Sequence, residues 1–325
     1  MRGRVTGTGS AVPEKVLSNH DLELLVDTTD EWIVSRTGIR ERRIASSEEF
    51  TSTFATRAAL KALEMAGVTP EELDLIIVAT VTPDYPFPST ACLLQNNIKA
   101  HNAAAFDISA ACSGFIYALT TVDKYIRTGA VKKALVVGAE VLSRIVDWSD
   151  RNSCLLFGDG AGAVVVEAVD GDNGIRDAML KSDGSYWELL YQPGPGNRNP
   201  SSQTLLDNRL HYIHMQGNEV FKLAVRSMEE AATGVLAAGG YICADIDLFV
   251  PHQANKRIID AIGKRLGLSD EKVFVNLDRY GNTSAASIPI ALDEANRTGR
   301  IQPGNLVLLD SFGGGLTWAA MSMIW

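Results

Sequence analysis

Three side chains far apart in the sequence have the types needed to accept, hold and polarise a thioester. Cys112 lies in Ala110-Ala111-Cys112-Ser113-Gly114, between a strand-like run, 104–109, and a helix-like run, 115–127. A thiol on such a bend stands at the positive end of a helix dipole, which favours the thiolate and predicts a lowered pKa. Its neighbours are small enough to let a substrate approach, and a main-chain N–H at the bend can point at a developing oxyanion. His252 follows the apolar run 248–250 and Pro251. That puts it at a strand's carboxyl end, where α/β proteins gather their sites. Asn282 lies in Tyr280-Gly281-Asn282-Thr283-Ser284. Taken singly, the histidine reads as a satisfied loop residue and the asparagine as a turn or helix N-cap. A free thiol is more often structural, which is the reading for Cys92, Cys154 and Cys243.

Gly313, Gly314 and Gly315 precede Leu316-Thr317-Trp318 and permit a bare main-chain amide. They read either as a second oxyanion donor or as a hairpin turn. No helix and no Gly-Lys-Ser follow, which argues against phosphate cradling. Gly7-Thr8-Gly9-Ser10 lacks the third glycine of a dinucleotide fingerprint and runs into Val12-Pro13. Arg36, Arg40, Arg42 and Arg43 form a basic cluster with Trp32 four residues before Arg36. This is either a solvated face or a seat for a phosphorylated, adenine-bearing cosubstrate, with arginine on phosphate and indole against the base. Lys256, Arg257, Lys264 and Arg265 share one amphipathic stretch, with Arg257 and Lys264 on one face. Docking of an acidic protein and plain solvation are equally open there.

The elements that must hold these residues alternate. Strand-like runs at 75–78, 134–137, 248–250 and 306–309 are separated by amphipathic stretches at 55–66, 115–127, 220–238 and 256–266, which predicts an α/β fold with buried strands. The halves also echo one another. Thr128-Gly129 before 135–137 answers Thr298-Gly299 before 306–308, and 74–78 answers 247–250, at offsets of 170 to 173 residues. Phe157-Gly158-Asp159-Gly160 answers Phe312-Gly313-Gly314-Gly315 at an offset of only 155. A duplicated α/β unit follows, with about 16 extra residues in the first half near 141–156. The offset of 170 would set Asn282 at the bend equivalent to that of Cys112. Turn chemistry at 169–174 places the seam there, giving halves 1–172 and 173–325. Residues 192–200 read as a surface loop.

Composition narrows the class. The 325 residues are 46% hydrophobic and 21% charged with a net charge of −9, which suits a globular enzyme and argues against nucleic-acid binding. Four cysteines without ligand spacing predict neither a metal site nor a disulfide framework. No signal-peptide pattern opens the chain and no apolar run spans a membrane, so the expectation is a cytoplasmic protein without a membrane partner.

Read together, these residues resemble the 3-oxoacyl-[acyl-carrier-protein] synthase III family of condensing enzymes, in the thiolase superfamily. The likeness runs from Gly7-Thr8-Gly9-Ser10 to Gly313-Gly314-Gly315-Leu316-Thr317-Trp318. Its most specific pieces include Asp30-Glu31-Trp32-Ile33, Ala110-Ala111-Cys112-Ser113-Gly114-Phe115, Phe157-Gly158-Asp159-Gly160-Ala161-Gly162, Gly217-Asn218-Glu219-Val220-Phe221 and Pro251-His252-Gln253-Ala254-Asn255. The resemblance implies a thiolase-like, duplicated αβαβα fold of five layers and a homodimer. It implies a Cys112–His252–Asn282 triad and an oxyanion hole from the N–H groups of Cys112 and Gly314. Coenzyme A would lie against Trp32 and Arg151, with Arg36, Gly217, Phe221 and Asn255 along its tunnel. Leu142, Phe157 and Phe312 would shape the acyl pocket, joined by Phe87 of the partner copy. Lys256, Arg257, Lys264 and Arg265 would dock acyl carrier protein. The implied reaction joins a short acyl-CoA to malonyl-carrier protein with loss of CO₂, by ping-pong chemistry through acyl-Cys112 and without a cofactor.

A papain-like protease also runs Cys, His, Asn in chain order, with His about 130–150 residues after Cys. The local cysteine signature of that family is absent here, and the duplicated α/β pattern disagrees with it. Related synthases making polyketide or quinolone products share the triad. A non-catalytic binding protein would have no need of all three residues.

Overall fold

The computed structural model describes residues 1–325. Its strands form two main sheets. In the first, β1 (Arg2–Ala11), β2 (Leu75–Ala79), β3 (Ala104–Ile108), β4 (Lys133–Glu140) and β5 (Gly160–Val169) lie in the order β1-β5-β4-β2-β3. In the second, β6 (Gly174–Ser182), β7 (Leu248–Pro251), β8 (Leu306–Gly313) and β9 (Thr317–Ile324) lie in the order β7-β8-β9-β6. Beyond β7, Val273 forms a parallel bridge with Phe249, and the Phe274 N–H donates to the Phe249 carbonyl at 2.8 Å. This segment stands where β3 stands in the first sheet. Counted within each half, both sheets therefore run third-second-fourth-fifth-first.

The strands at the centre are built on continuous apolar runs, 75–79, 134–137 and 306–309, as strands covered on both faces must be. All five residues of β2 are buried. Between the sheets lie α4 (Gly114–Arg127) and α7 (Ser287–Arg297), whose Phe115, Leu119, Ile288 and Leu292 share one core with Ile77, Val136, Val250 and Leu309. Outside the first sheet, α2 (Thr51–Ala66) and α3 (Thr90–Ile98) bring Phe54, Ala58 and Leu94 against Ile76 and Val78. Outside the second, α5 (Gly217–Ala238) and α6 (Lys256–Arg265) bring Met228, Val235 and Ile262 against Phe249 and Leu308. The remaining helix used below, α1 (Asp30–Thr37), packs its Ile33 beside Leu142 and Phe157. The result is the five-layer αβαβα sandwich that the resemblance implied. No helix is long and apolar enough to cross a membrane.

The two halves differ where the sequence echoes slipped. Nineteen residues, 141–159, separate β4 from β5, whereas three, 314–316, join β8 to β9. This is the excess of 16 residues expected in the first half. Helix α4 has 14 residues and α7 has 11, so the offset falls from 173 at the helix starts to 170 at their ends. Each helix follows a one-turn 3₁₀ segment, Ala111–Ser113 or Ser284–Ala286. Ala111 (φ +46°) and Ser284 (φ +48°) are both left-handed. The counterpart of Cys112 is therefore Ala285, and the expected equivalence of Asn282 with Cys112 is corrected: Asn282 stands two residues before the second turn.

Close approach of α7 to β5 depends on Gly162, where a Cβ would fall 2.5 Å from the Ile290 nitrogen. Gly162→Ala is expected to destabilise the fold by about 3 kcal/mol through overpacking. Urea unfolding should show a lower midpoint with an unchanged slope.

Candidate active site

A cavity of about 800 Å³ opens between the halves, and Cys112, His252 and Asn282 all line it. Cys112 reaches it from the turn that joins β3 to α4. Left-handed geometry at Ala111 costs about 1–2 kcal/mol for a residue with a Cβ, so the turn must be held from outside. The C-terminal hairpin does this: Thr317 Oγ1 donates to the Ala110 carbonyl at 3.0 Å, and Ser113 Oγ donates to the Thr317 carbonyl at 3.1 Å. Gly313 lets the hairpin press onto the nucleophile, since a Cβ there would lie 2.6 Å from the Cys112 nitrogen. Gly314 is one residue further, where a Cβ would meet the Leu190 carbonyl at 2.8 Å and the Ala111 side chain at 3.7 Å.

His252 ends β7. Its N–H donates to the Asp310 carbonyl on β8 at 2.8 Å, and its Nδ1 lies 2.6 Å from Ser287 Oγ at the start of α7. Nε2 is the nitrogen left for the cavity. The following loop is fixed by Gln253, whose Nε2 donates to the Pro251 and Phe274 carbonyls while its Oε1 accepts from the Asn276 N–H. Asn282 is held by its main chain, which exchanges hydrogen bonds with residues 156 and 158 at 2.8 and 3.0 Å. Gly158 permits this crossing: a Cβ there would meet the Tyr280 carbonyl at 2.2 Å. The Asn282 Oδ1 accepts the Ser284 N–H at 2.8 Å, so its Nδ2 donors are the free end of the amide.

The electrostatics correct one expectation. Burial pushes the Cys112 thiol up to about 12, outweighing the Ser284 hydroxyl that lowers it. The expected lowering is therefore not found: desolvation is the largest cause of the shift and favours the neutral thiol. Burial also lowers His252 to about 3, so the resting pair is a neutral thiol and a neutral imidazole. Behind the turns sits a buried carboxyl that the sequence reading missed. Glu140 accepts from Thr80, Thr82 and the main chain of Val81, and desolvation raises it to about 7. Asp310 is buried too, with both carboxyl oxygens unpartnered and its pKa raised well above the usual range by desolvation. Ser287 was also missed, since nothing local distinguishes it from an ordinary polar residue at a helix start, and Gln253 was quoted within a motif without a role of its own.

At the mouth, the Arg151 guanidinium stacks 4.2 Å from the Trp32 ring centre, and Arg36 lies at 5.7 Å. Asn255 caps α6 through the Arg257 N–H and donates to the Arg36 carbonyl at 3.2 Å. Arg36, Gly217, Phe221, Asn255 and Arg257 line the cavity with Phe157 and Phe312. Three expectations change. Arg42 is not a phosphate ligand of the basic cluster: it is fully buried and donates only to the Leu17 and Leu155 carbonyls and Asn19 Oδ1. Leu142 is packed behind the wall with Leu155 and Phe157 instead of lining the cavity. Phe87, which the resemblance gives to the partner copy's pocket, is 86% exposed and outside this protomer's own cavity. Of the four expected docking cations, Lys256 is paired with Asp260 and Arg265 with Glu229, which leaves exposed Arg257 and Lys264 without an acidic partner. No group of three or more His, Cys, Asp or Glu could hold a metal ion.

Comparison with known proteins agrees across the chain. Residues 106–184 match the model of the 3-oxoacyl-[acyl-carrier-protein] synthase III family, and residues 236–325 match that of its C-terminal part. The beta-ketoacyl-[acyl-carrier-protein] synthase III of Caldanaerobacter subterraneus is 55% identical over 99% of this chain and 97% of its own. The crystal structure of the synthase III from Aquifex aeolicus superposes with a TM-score of 0.93 at 51% identity, covering 99% of this chain and 100% of that one. The priming β-ketosynthase of the R1128 polyketide pathway superposes at 0.92 with 36% identity, covering 99% and 96%.

The uncharged site has a pH consequence. Below its ordinary value of 6.5, an unfolded His252 takes up a proton that the folded chain refuses down to about 3. Stability should therefore fall as pH drops below 6.5, by about 1.4 kcal/mol per unit from this residue. Cys112 acts at the other end, losing stability as pH rises from about 9 toward 12. Urea midpoints between pH 6.5 and 4.5 should fall more steeply for the unsubstituted protein than for His252→Ala.

Proposed function

The chain belongs to the 3-oxoacyl-[acyl-carrier-protein] synthase III family, and we propose that Cys112, His252 and Asn282 carry its reaction. That reaction is the decarboxylative condensation of a short acyl-CoA with malonyl-acyl carrier protein, giving 3-oxoacyl-carrier protein, coenzyme A and CO₂. The observation that carries the assignment is the meeting of these three residues, 30 to 170 positions apart in the sequence, in one buried cavity.

The first half-reaction loads Cys112. Its sulfur attacks the acyl-CoA carbonyl, the main-chain N–H groups of Cys112 and Gly314 hold the oxyanion, and the thiol proton leaves with coenzyme A. The stacked Trp32 and Arg151, with Arg36 beside them, suit the nucleotide of coenzyme A; Gly217, Phe221 and Asn255 line its path. In the second half-reaction malonyl-carrier protein enters and loses CO₂. His252 and Asn282 donate hydrogen bonds to the enolate oxygen, and the carbanion attacks the acyl carbonyl and displaces the Cys112 sulfur, which takes up a proton to restore the thiol. The donor end of Asn282, freed because Ser284 occupies its oxygen, supports this role. Neutral His252 does as well, since a carboxylate at either place would repel the enolate. No cofactor takes part.

Chain organisation fits the same reading: residues 1–172 supply the nucleophile and residues 173–325 the two donors. Phe157 and Phe312 wall the acyl pocket, with Leu142 packed behind. Exposed Tyr85 and Phe87 and the exposed Phe106 on β3 support a homodimer in which Phe87 completes the partner's pocket. Arg257 and Lys264 form the docking face for the acidic carrier protein, flanked by Lys256 and Arg265. The enzyme works in the cytoplasm, with neither nucleic acid nor membrane as partner.

Intact-protein mass spectrometry after incubation with acyl-CoA esters tests the core of the proposal. One acyl group should be added to the unsubstituted protein and none to Cys112→Ser. His252→Ala should still acylate but lose malonyl-thioester decarboxylation by roughly a hundredfold or more; normal decarboxylation by that variant would refute the role. Separately, Lys264→Glu should raise the KM for malonyl-carrier protein about tenfold at low salt and leave that for acyl-CoA unchanged.

A further inference from the structure

Ser287 is outside every motif used above, yet it touches the imidazole more closely than any other polar group does. Its Oγ has two hydrogen-bond partners, His252 Nδ1 at 2.6 Å and the Gln253 N–H at 3.4 Å. Ser287, His252 and Gln253 are all buried, so a hydroxyl proton pointing elsewhere would go unsatisfied at a cost of about 1–3 kcal/mol. A main-chain N–H can only donate, so Gln253 takes a lone pair of the Ser287 oxygen and leaves its proton free. The one acceptor in reach of that proton is Nδ1.

We infer that Ser287 is a positioning residue that fixes His252 as the Nε2–H tautomer, presenting a hydrogen-bond donor to the cavity. The inference rests on the role given to His252 above and supplies what fixes it. A neutral imidazole carries one N–H, and whichever group meets one nitrogen decides the state of the other. With Nδ1 accepting from Ser287, Nε2 must carry the proton. The ring can then donate to an enolate oxygen but has no lone pair there with which to take the Cys112 proton. Ser287 thereby commits His252 to the decarboxylation half of the cycle. The second half-domain supplies the restraint itself, because Ser287 opens α7 directly after the Ser284–Ala286 turn. Asn282, on the other side of that turn, has its oxygen occupied by the Ser284 N–H. One turn of main chain thus helps to set both donors.

The test reads the tautomer directly. Protein labelled with ¹⁵N-histidine, observed at neutral pH by two-bond nitrogen–proton correlation with His252 assigned from a His252→Asn spectrum, should give a protonated Nε2 and an unprotonated Nδ1. A ring protonated on Nδ1 would overturn the inference. Ser287→Ala should show a mixture of tautomers and about tenfold slower malonyl-thioester decarboxylation, with transfer of acyl to Cys112 unchanged. Ser287→Thr, which keeps the hydroxyl, should restore both. A Ser287→Ala protein that keeps a pure Nε2–H ring would also overturn the inference. Should that variant fail to fold, the spectrum of the unsubstituted protein still decides. Failure of the broader reading is separable: His252→Ala would then decarboxylate normally, whatever tautomer the spectrum reports.

Discussion

Two short turns, one from each half, must come together with almost nothing between them, and the site exists only because they can. Ala111–Ser113 and Ser284–Ala286 each place one left-handed residue ahead of a buried helix. Beneath the second turn, Gly138 leaves no room for a side chain, since a Cβ would lie 2.1 Å from the Ala285 carbonyl oxygen. Above it, Gly114 faces Ala285 across van der Waals distance. Cys112 is carried on one turn; Asn282 is tied to the other through the Ser284 N–H, and Ser287 follows it. Widening that contact would separate the sulfur from both polar partners at once.

Much of this was legible in the chain because it is local. Uninterrupted apolar runs gave the buried strands, and Pro251 marked the strand end that presents His252. The small residues around Cys112 announced a tight bend. What escaped the reading depends on distance in space. The helix dipole at Cys112 is visible in sequence, whereas burial by residues from both halves is not, and burial decides the sign of the pKa change. The helices differ by three residues, which moved the apparent counterpart of Cys112 from Ala285 to Asn282. Asp260, four residues after Lys256, was a visible partner on a helix face; Glu229, which pairs with Arg265, is 36 positions away and was not.

Arg42 is the sharpest case. In sequence it belongs to a basic run that also contains Arg36, at the mouth of the cavity. In the fold it is wholly enclosed, meets only neutral oxygens, and remains a cation with a pKa lowered to about 10 by desolvation. Its bonds join residues 17, 19 and 155, and its Cβ packs near the Gly158–Gly281 crossing that holds Asn282. Removing such a group would leave several buried acceptors unmet, a cost of about 1–3 kcal/mol for each.

The unequal links between the last two strands of each half carry a consequence for variation. At the same topological position, one copy keeps a three-residue bend beside the turn that carries Cys112, and the other grows a nineteen-residue excursion bearing Arg151, Leu155, Leu156 and Phe157. The short version is sterically frozen, while the long version has length to spare. Substitutions within 141–155 can therefore reshape the cavity wall while the main-chain bonds from 156 and 158 go on holding Asn282.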